Sequence, residues 1–309
     1  MNLEQQIVFD VLGLGAVAVD DLLYVDTYPS VEQKVRVNRR RHECGGQTGT
    51  GLVAAARLGA KCGYAGVLGR DALSSEVAGN FAKESIDLSH CVWRSHASPA
   101  HSTIVVEESR NTRTIFSSVD GLIGADPELP SEEIIKSARV LLVDHHGIEG
   151  TIRAARIARS VSSQVVADFE RDPGSELFGL VAHLIVNEHF AIEKTKKTSP
   201  AAAAESLWDT GRAAVVVTCG ANGCWFTGEE TNGVAAHFAA FDVTAVDTTG
   251  CGDVFHGAYS AALAEGMDLL SRVKLATAAA ALKSTRHGGQ SGIPVRIEVE
   301  EFLADRMAY

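Results

Sequence analysis

The residues best suited to catalysis lie in a glycine-rich segment, 246–253, that leads directly into an apolar helical pattern. Gly250 and Gly252 allow a tight turn just before the helix, whose first amides have no partner within it and attract an anion. Asp253, in the predicted first turn, is placed to take a proton from a hydroxyl beside those amides. The pattern predicts phosphoryl transfer to a hydroxyl, although an aspartate at this position can also simply cap the helix.

A second glycine-rich segment starts at residue 45 and continues as a helical pattern that ends before Gly59. Gly46 permits close approach of a ligand to the start of this helix, and Gln47 and Thr50 offer hydrogen bonds to hydroxyl groups. The segment therefore indicates a site for a hydroxylated ligand. Taken alone, it is equally consistent with an ordinary glycine-rich turn and helix.

Positioning these segments requires a buried sheet. Residues 7–14 form a short apolar run typical of a buried strand, and after residue 130 strand-like and helical patterns alternate, as in a parallel sheet covered by helices. We predict strands at 62–68, 139–143, 164–167, 183–186 and 213–218, and helices at 131–137, 149–160, 200–209, 251–265 and 269–284.

A smaller sheet is predicted from short strand-like segments outside this alternation, at 21–28, 33–42, 91–96, 102–108 and 113–117. Residues 34–38 alternate strictly between polar and apolar, which is typical of a sheet with one wet face. We therefore expect one α/β domain over residues 1–309, with a small β lid built from about 16–43 and 91–118.

Composition excludes several function classes. The formal net charge of -11 argues against broad binding to nucleic acid or to an anionic membrane. No apolar run reaches the roughly 18 residues that span a bilayer, and the N-terminus lacks the pattern of a signal peptide, so we expect a cytoplasmic protein. The six cysteines are dispersed without CxxC pairs, which disfavours a zinc site or a disulfide framework.

Together, and in their order along the chain, the two glycine-rich segments resemble the two signatures of the ribokinase/PfkB family of carbohydrate kinases. The resemblance runs through nearly the whole chain and implies a three-layer ribokinase-like α/β/α core with a β-sheet lid. It implies ATP and Mg²⁺, Asp253 as the catalytic base, and Gly250, Cys251 and Gly252 as the anion hole. It also implies acceptor binding by the residues that match the sugar-binding positions of the family: Asp20, Gly46, Gln47 and Thr50.

Further positions are assigned by the same resemblance. Thr218, Gly220 and Gly223 match a strand-end turn against the ATP phosphates and ribose, although a simple β-turn also explains them. Asn187 matches the start of the Asn-x-x-Glu motif, but residue 190 is phenylalanine, which leaves Glu188 to help organise magnesium water. Near the C-terminus, Gly288 matches the loop that lines the adenine side of the ATP site. The resemblance also implies a monovalent-cation site, for which K⁺ is plausible, formed with Asp247 and Thr249.

The segments 253–258 and 281–294 particularly resemble the sulfofructose-kinase/ketohexokinase-like branch, which takes anionic sugars. His146 then lies where that branch carries an arginine, and the basic run 39–41 is either a substrate contact or a charged edge that blocks strand aggregation. A homodimer through the lid is a further implication. Two alternatives stay open: a nucleoside kinase, and a non-catalytic nucleotide or sugar sensor on the same fold.

Overall fold

The computed structural model describes residues 6–110, 112–208 and 211–307. The strands are β1 Phe9–Leu14, β2 Ala18–Val25, β3 Arg39–Gly45, β4 Cys62–Tyr64, β5 Val67–Leu68, β6 Val92–Trp93, β7 Ala100–Glu107, β8 Thr112–Ser118, β9 Ala138–Asp144, β10 Gln164–Asp168, β11 His183–Asn187, β12 Ala214–Thr218, β13 Cys224–Gly228 and β14 Ala236–Phe238. The α-helices are α1 Gln47–Arg57, α2 Ala72–Lys83, α3 Glu132–Lys136, α4 Ile148–Arg159, α5 Ser175–Leu180, α6 Glu188–Thr195, α7 Pro200–Leu207, α8 Cys251–Ala264, α9 Leu269–Ser284 and α10 Arg296–Met307.

The main sheet has eight strands in the order β14-β13-β12-β11-β10-β9-β1-β4. Neighbours from β4 to β12 are parallel, while β13 and β14 are added antiparallel at one edge. The predicted mostly parallel sheet is confirmed. Since parallel strands run the same way, the carboxyl ends of β9, β10, β11 and β12 lie together at one end of the sheet. This end, the carboxyl edge, is where α/β proteins bind their ligands.

Helices cover both faces of this sheet because alternate strand residues point to opposite sides. Val140 and Leu142 of β9 belong to one core, which includes apolar residues of α1, α8 and α9. Leu141 and Val143 belong to the other, with alanines of α4 and α7. Burial on both faces explains why these strands are continuous apolar runs in the sequence, and it produces the predicted three layers.

A second sheet has four strands in the order β3-β2-β7-β8. Its central strand β2 is antiparallel to β3 and parallel to β7. Leu22, Tyr24, Ile104 and Val106 form a small buried cluster on one face. This face, the inner face of the second sheet, meets the main body of the protein through the Tyr24 hydrogen bond to Asp247, while His42 on the opposite face contacts Glu76 of α2.

Two predictions about this second sheet are wrong in detail. Residues 33–38 are not a strand: β3 begins at Arg39, which pairs with Tyr24 near the end of β2, so the alternating segment before it has no strand to pair with. Segment 91–96 does not join the second sheet, because its strand β6 pairs with β5. The predicted strand 62–68 is accordingly divided into β4 and β5.

Other boundaries differ by a few residues. The strand predicted at 21–28 is shifted to Ala18–Val25, and the helix predicted at 200–209 ends at Leu207, with its last predicted residue outside the described ranges. Of the helices in the described ranges, none has both the length and the apolar character that a bilayer crossing requires.

Candidate active site

The start of α8 has the geometry expected of an anion site. Gly250 precedes the helix with φ 76°, a left-handed conformation that favours glycine. The Cys251 amide donates to the Thr248 carbonyl at 3.2 Å, and the Val254 amide donates to the Gly250 carbonyl at 2.9 Å. The amides of Gly252 and Asp253 lie between these two, in the turn where a helix provides no acceptor of its own. They are therefore the amides available to an incoming anion.

Helices α1 and α8 bring the two glycine-rich segments together. A Cβ on Gly257 would lie 2.0 Å from the carbonyl oxygen of Gly51, so α8 can approach the backbone of α1 this closely only because residue 257 lacks a side chain. A Cβ on Gly250 would lie 3.5 Å from Thr50 Cγ2, which shows how near the α1 side chain is to the anion site. Thr50 is itself buried and accepts a hydrogen bond from Gln290 at 3.4 Å.

The most unexpected feature is a second carboxyl group beside Asp253. Asp168, the last residue of β10, is 13% exposed, and its carboxyl group lies within hydrogen-bonding reach of that of Asp253. Burial, followed by the charges of Glu170 and Asp144, raises the pKa of Asp168 to about 8. Burial and then the Asp168 charge raise the pKa of Asp253 well above its ordinary value. Because two adjacent carboxylates repel each other, the pair is expected to retain a proton.

His256 supports this pair from the next turn of α8. Its Nδ1 lies 2.8 Å from the Gly252 carbonyl oxygen and 3.3 Å from Asp168 Oδ2. Its Nε2 lies 3.0 Å from the Ile185 carbonyl oxygen. The ring therefore fixes the first turn of α8 against the main sheet.

Gln47 lies at the same place from the side of α1. Its carboxamide is close enough to Asp168 to lower that residue's pKa. Its buried Nε2 makes no hydrogen bond of normal length with any part of the chain that the structure describes. A donor in this position is free to bind a hydroxyl of a ligand.

Asp20 and Asp21 occupy opposite faces of the second sheet. Asp20 shares its face with Leu22 and Tyr24, so it points toward the inside. Burial raises its pKa to about 6, against the lowering effect of a hydrogen bond with Ser102. A Cβ on Gly45 would lie 2.0 Å from Asp20 Oδ2, which explains the glycine there. Asp21 instead pairs on the other face with His42 at 2.7 Å and with His101 at 2.9 Å.

Asp144, the last residue of β9, is fully buried. Its Oδ2 accepts hydrogen bonds from the Ala16 amide at 2.6 Å and the Thr48 hydroxyl at 2.8 Å. Its Oδ1 accepts one from the His146 amide at 2.8 Å, and the His146 ring nitrogen Nδ1 lies 3.3 Å away. These hydrogen bonds keep the pKa of Asp144 below its ordinary value in spite of burial. The structure thus places His146 against a carboxylate.

Gly46 has the strictest steric requirement of the predicted acceptor residues. Its φ is 85°, and a Cβ would lie 2.6 Å from Val17 Cα and 2.7 Å from the Ala16 carbonyl oxygen. Only glycine can therefore start α1 in this conformation.

Asp247 connects the second sheet to the anion site. Its Oδ2 accepts hydrogen bonds from the Tyr24 hydroxyl at 2.6 Å and the Gly288 amide at 2.9 Å, and its Oδ1 accepts one from the Thr249 amide at 2.9 Å. Lys283 Nζ donates to the Asp247 carbonyl oxygen at 2.9 Å. Although burial acts in the opposite direction, Lys283 and these hydrogen bonds lower the pKa of Asp247. Gly288 is confined to glycine because, at φ 93°, a Cβ would lie 2.2 Å from Ser291 Oγ.

Except for Gly288, which lies after α9 against Asp247, the residues predicted to bind ATP lie at or just beyond the ends of two neighbouring strands. Asn187 and Thr218, the last residues of β11 and β12, are opposite each other in the sheet register. The Asn187 side chain accepts a hydrogen bond from the Phe190 amide at 2.8 Å and so caps α6, in which Glu188 is the first residue. The Gly220–Asn222 turn follows β12. The sheet therefore brings Asn187, Glu188, Thr218 and Gly220 to the edge that also ends in Asp168.

Gly223 closes the turn after β12. It has φ 83°, and a Cβ would lie 2.1 Å from the Phe238 carbonyl oxygen. Position 223 therefore requires glycine for a steric reason that does not involve a ligand. In the described ranges, no group of three or more histidine, cysteine or acidic side chains could hold a metal ion on its own.

Sequence reasoning missed Asp168, Tyr24 and Lys283. Asp168 had the same signal as the predicted residues, a polar residue at the carboxyl end of a buried strand. Lys283 is a charged residue in an otherwise alanine-rich helix, and that contrast was visible in the sequence. Nothing in the local sequence around Tyr24 indicates its hydrogen bond to Asp247, which depends on the packing of two sheets.

A carboxylate beside free helix amides, at the carboxyl ends of a parallel sheet, suits an enzyme of the phosphotransferase class with an alcohol acceptor. A family profile, pfkB family carbohydrate kinase, matches residues 13–296. The chain belongs to this family. The sequence is similar to ribokinase of Haemophilus influenzae, with 29% identity over 94% of this chain and 97% of the relative.

Solved structures agree in fold. A crystal structure of a putative ribokinase from Agrobacterium tumefaciens superimposes with a TM-score of 0.90 at 28% identity, covering 97% of this chain and 98% of the other. Ribokinase of Arabidopsis thaliana, complexed with ribose and ATP, has a TM-score of 0.83 at 19% identity, covering 95% and 98% of the two chains. The predicted ribokinase-like fold is confirmed.

Proposed function

We propose that the protein transfers a phosphoryl group from ATP to a hydroxyl of an uncharged sugar or sugar derivative, with Asp253 as the general base. The observation that carries this proposal is the position of Asp253 in the first turn of α8, beside the unoccupied amide positions of residues 252 and 253. A base and an anion site at one helix start serve the two needs of the reaction: removal of the hydroxyl proton and stabilisation of charge on the transferred group.

ATP is supported as the donor by the family and by the strand-end residues. Asn187, Thr218, Gly220 and Gly223 lie beside the carboxyl edge, where a nucleotide would bring its phosphates toward α8. The Arabidopsis relative was solved with ribose and ATP. Magnesium bound to the ATP phosphates supplies positive charge, and Glu188 is the residue of this chain placed to orient one of its waters. A single carboxylate fits a magnesium ion that is held mainly by phosphate and water.

The acceptor is expected between the inner face of the second sheet and α1. Asp20 on β2, Gln47 on α1 and Asp253 on α8 would bind its hydroxyl groups, and Gln47 Nε2 makes no hydrogen bond of normal length within the described residues. We propose that the second sheet closes over the acceptor as a lid and excludes water, which would otherwise compete as the phosphoryl acceptor. The Tyr24 hydrogen bond to Asp247 supports this because it joins the sheet directly to the anion-site loop.

The charges around this space favour an uncharged acceptor. The carboxyl groups of Asp20, Asp168 and Asp253 all have raised pKa values, a sign that further negative charge is unfavourable there. Of the nearby basic side chains, Arg113 donates a hydrogen bond to Thr248 Oγ1 at 3.4 Å, and Arg41 and His146 lie against carboxylates. Arg41 lies 3.1 Å from Glu43, and His146 lies against Asp144. We therefore favour a neutral sugar over the anionic sugars that the resemblance to the sulfofructose-kinase branch suggests.

We also propose a homodimer through the outer face of the second sheet. Phe116 on this face is 55% exposed and lies opposite Thr103, away from the Leu22 and Tyr24 cluster. An exposed aromatic side chain on a sheet face, here on the edge strand β8, favours a partner surface. The mass of the purified protein by light scattering, compared with that of Phe116→Asp, tests this assembly. Dimer mass in both would exclude this face.

The experiment for the function is ADP release by the purified protein with Mg-ATP and a panel of neutral sugars, sulfonated or phosphorylated sugars, and nucleosides. We expect turnover with one or more neutral sugars. Turnover confined to anionic sugars would overturn the acceptor proposal and leave the kinase intact. Turnover confined to nucleosides would establish the nucleoside-kinase alternative. ATP binding without turnover on any acceptor would support the sensor alternative.

A further inference from the structure

A buried lysine occupies the part of the site where the sequence predicted a monovalent cation. Lys283 lies in the last turn of α9 and is completely buried. Its Nζ donates to the Asp247 carbonyl oxygen at 2.9 Å and lies 3.9 Å from Asp247 Oδ1. A buried ammonium group requires a partner of opposite charge, and Asp247 is that partner.

The Asp247 carboxylate has little capacity left for an additional cation. Tyr24, Thr249 and Gly288 each donate a hydrogen bond to it, and the Lys283 ammonium faces it as well. A potassium ion on the same carboxylate would lie close to a buried like charge and would be repelled by it. Thr249 Oγ1, which has no hydrogen-bond partner in the described ranges, is a single neutral hydroxyl and does not offset that repulsion. The residues present therefore do not fit a bound monovalent cation.

We propose that the Lys283 ammonium is a built-in replacement for a monovalent cation, and that the protein works without potassium. This inference rests on the proposed kinase function. Lys283 is a positioning residue. It holds the Asp247 carbonyl, and the Asp247 carboxylate in turn holds the Thr249 amide, one residue before Gly250. The backbone leading into the anion site is thus fixed by a charge that belongs to the chain.

The end of α9 reinforces this connection. The carbonyl oxygen of Ser284, the residue after Lys283, accepts hydrogen bonds from the amides of Val246 at 2.7 Å and Asp247 at 3.0 Å. The loop before the anion site is therefore held by α9 through backbone and side chain together. Removing only the ammonium leaves the backbone contacts, so a variant at position 283 tests the charge and not the whole connection.

The first test is the salt dependence of the wild-type protein. Initial rates with a working acceptor are compared in choline, sodium and potassium chloride at one ionic strength. We expect the three rates to agree to within about twofold, since coupling between genuine sites typically changes an affinity by roughly 5-fold to 150-fold. A wild-type protein that needs potassium overturns the proposal.

The second test replaces the ammonium. Lys283→Ala leaves space for an ion, whereas Lys283→Met keeps most of the volume without the charge. We expect both variants to lose turnover, and potassium or ammonium ions to restore it in Lys283→Ala by a factor in the roughly 5-fold to 150-fold range of intersite coupling. Lys283→Met should not be restored. Lys197→Ala, which removes an exposed lysine, is the matched control and should resemble the wild type.

A third measurement does not depend on catalysis. The thermal unfolding midpoint of Lys283→Ala should rise with potassium concentration, because an ion that binds only the folded state stabilises that state. The wild-type midpoint should respond equally to potassium and choline. If no acceptor is found, this measurement still decides the inference, so its failure is distinct from failure of the kinase function. A folded Lys283→Ala that responds to potassium in neither turnover nor midpoint overturns the proposal. If the variants do not fold, an equal wild-type response to the three salts supports it and a potassium requirement overturns it.

Discussion

The carboxyl groups of Asp168 and Asp253 lie within hydrogen-bonding reach of each other, at the carboxyl edge of the main sheet. One comes from the end of β10 and the other from the first turn of α8. Burial raises the pKa of both groups; the charges of Glu170 and Asp144 add to the rise at Asp168, and the charge of Asp168 adds to the rise at Asp253. Asp253, the proposed base, is therefore expected to share a proton with its neighbour until an acceptor is bound, and the two titrate as a pair.

Replacing Asp253 with asparagine should remove the base without disturbing the fold. Asparagine is close in shape to a protonated aspartic acid and leaves the helix amides in place. We expect Asp253→Asn to bind ATP with unchanged affinity and to lose on the order of 10² to 10⁴ in turnover. Steady-state rates and ATP titration measure the two effects, and Asp305→Asn, at an exposed position on α10, is the control. Near-normal turnover in Asp253→Asn would remove the proposed base.

Asp168 should set the pH at which the enzyme becomes active. The base must lose its proton to work, and the negative charge of Asp168 opposes that loss. In Asp168→Asn this charge is absent, so the pKa of Asp253 should fall and the acid limb of the profile of kcat/KM against pH should move to lower pH. A merely structural role would lower kcat/KM at every pH without moving the limb. An unmoved limb would therefore contradict the coupling.

The same pair makes a prediction about stability. The pKa of Asp168 rises from its ordinary value near 3.8 to about 8, so the folded state binds its proton more tightly than the unfolded state does. Its contribution to stability is complete below about pH 4 and is lost as pH rises toward 8. The free energy of unfolding should fall across this window with a slope of at most about 1.4 kcal/mol per pH unit for one proton.

Urea unfolding at several pH values between 4 and 8 measures this slope. In Asp168→Asn the decline should be shallower, because one of the two titrating groups is gone. The exposed variant Asp305→Asn should keep the wild-type slope. Equal slopes in wild type and Asp168→Asn would show that the pair does not hold an extra proton.

How much of this site the sequence could predict depends on how local each feature is. The turn at the start of α8 was predictable because a glycine with φ 76° and a helix start depend on neighbouring residues alone. The main sheet was predictable because strands buried on both faces are continuous apolar runs. The pairing of Asp168 with Asp253 was not, since the two residues are 85 positions apart in the chain and meet only through strand order and helix packing.

At residues 34–38 the sequence predicts a strand that the structure does not contain. A period of two is a property of the residues, but a strand also needs a neighbour to hydrogen-bond, and β2 is too short to supply one there. In the same way, Lys283 fits a helical pattern regardless of what its ammonium group contacts. Its contact with Asp247 depends on where the end of α9 lies in the fold.

Adjacent aspartates on β2 provide a test of acceptor binding. Asp20 points to the inner face and Asp21 pairs with histidines on the outer face. Loss of a hydrogen bond to a charged group typically costs about 1.5–3 kcal/mol, so Asp20→Asn should raise the KM for the acceptor roughly 10-fold to 100-fold while the KM for ATP stays constant. Asp21→Asn should leave both values near wild type. A larger effect at Asp21 would assign acceptor binding to the other face.

The contact between α1 and α8 should be intolerant of a single added methyl group. In Gly257→Ala the new Cβ would lie 2.0 Å from the Gly51 carbonyl oxygen, so the helices must separate. We expect a loss of about 1–3 kcal/mol in unfolding free energy, as in other overpacked cores, and a fall in turnover because Thr50 and Gln47 move away from the start of α8. Gly79→Ala is the matched control. It lies within α2, a Cβ there meets nothing within 4 Å, and a helix-interior alanine should stabilise by roughly 0.5–1 kcal/mol. Denaturant unfolding and turnover are measured for both variants. Equal stability of the two variants would mean that the helices are not in the tight contact described. Lost stability of Gly257→Ala with unchanged turnover would mean that this contact does not position the site.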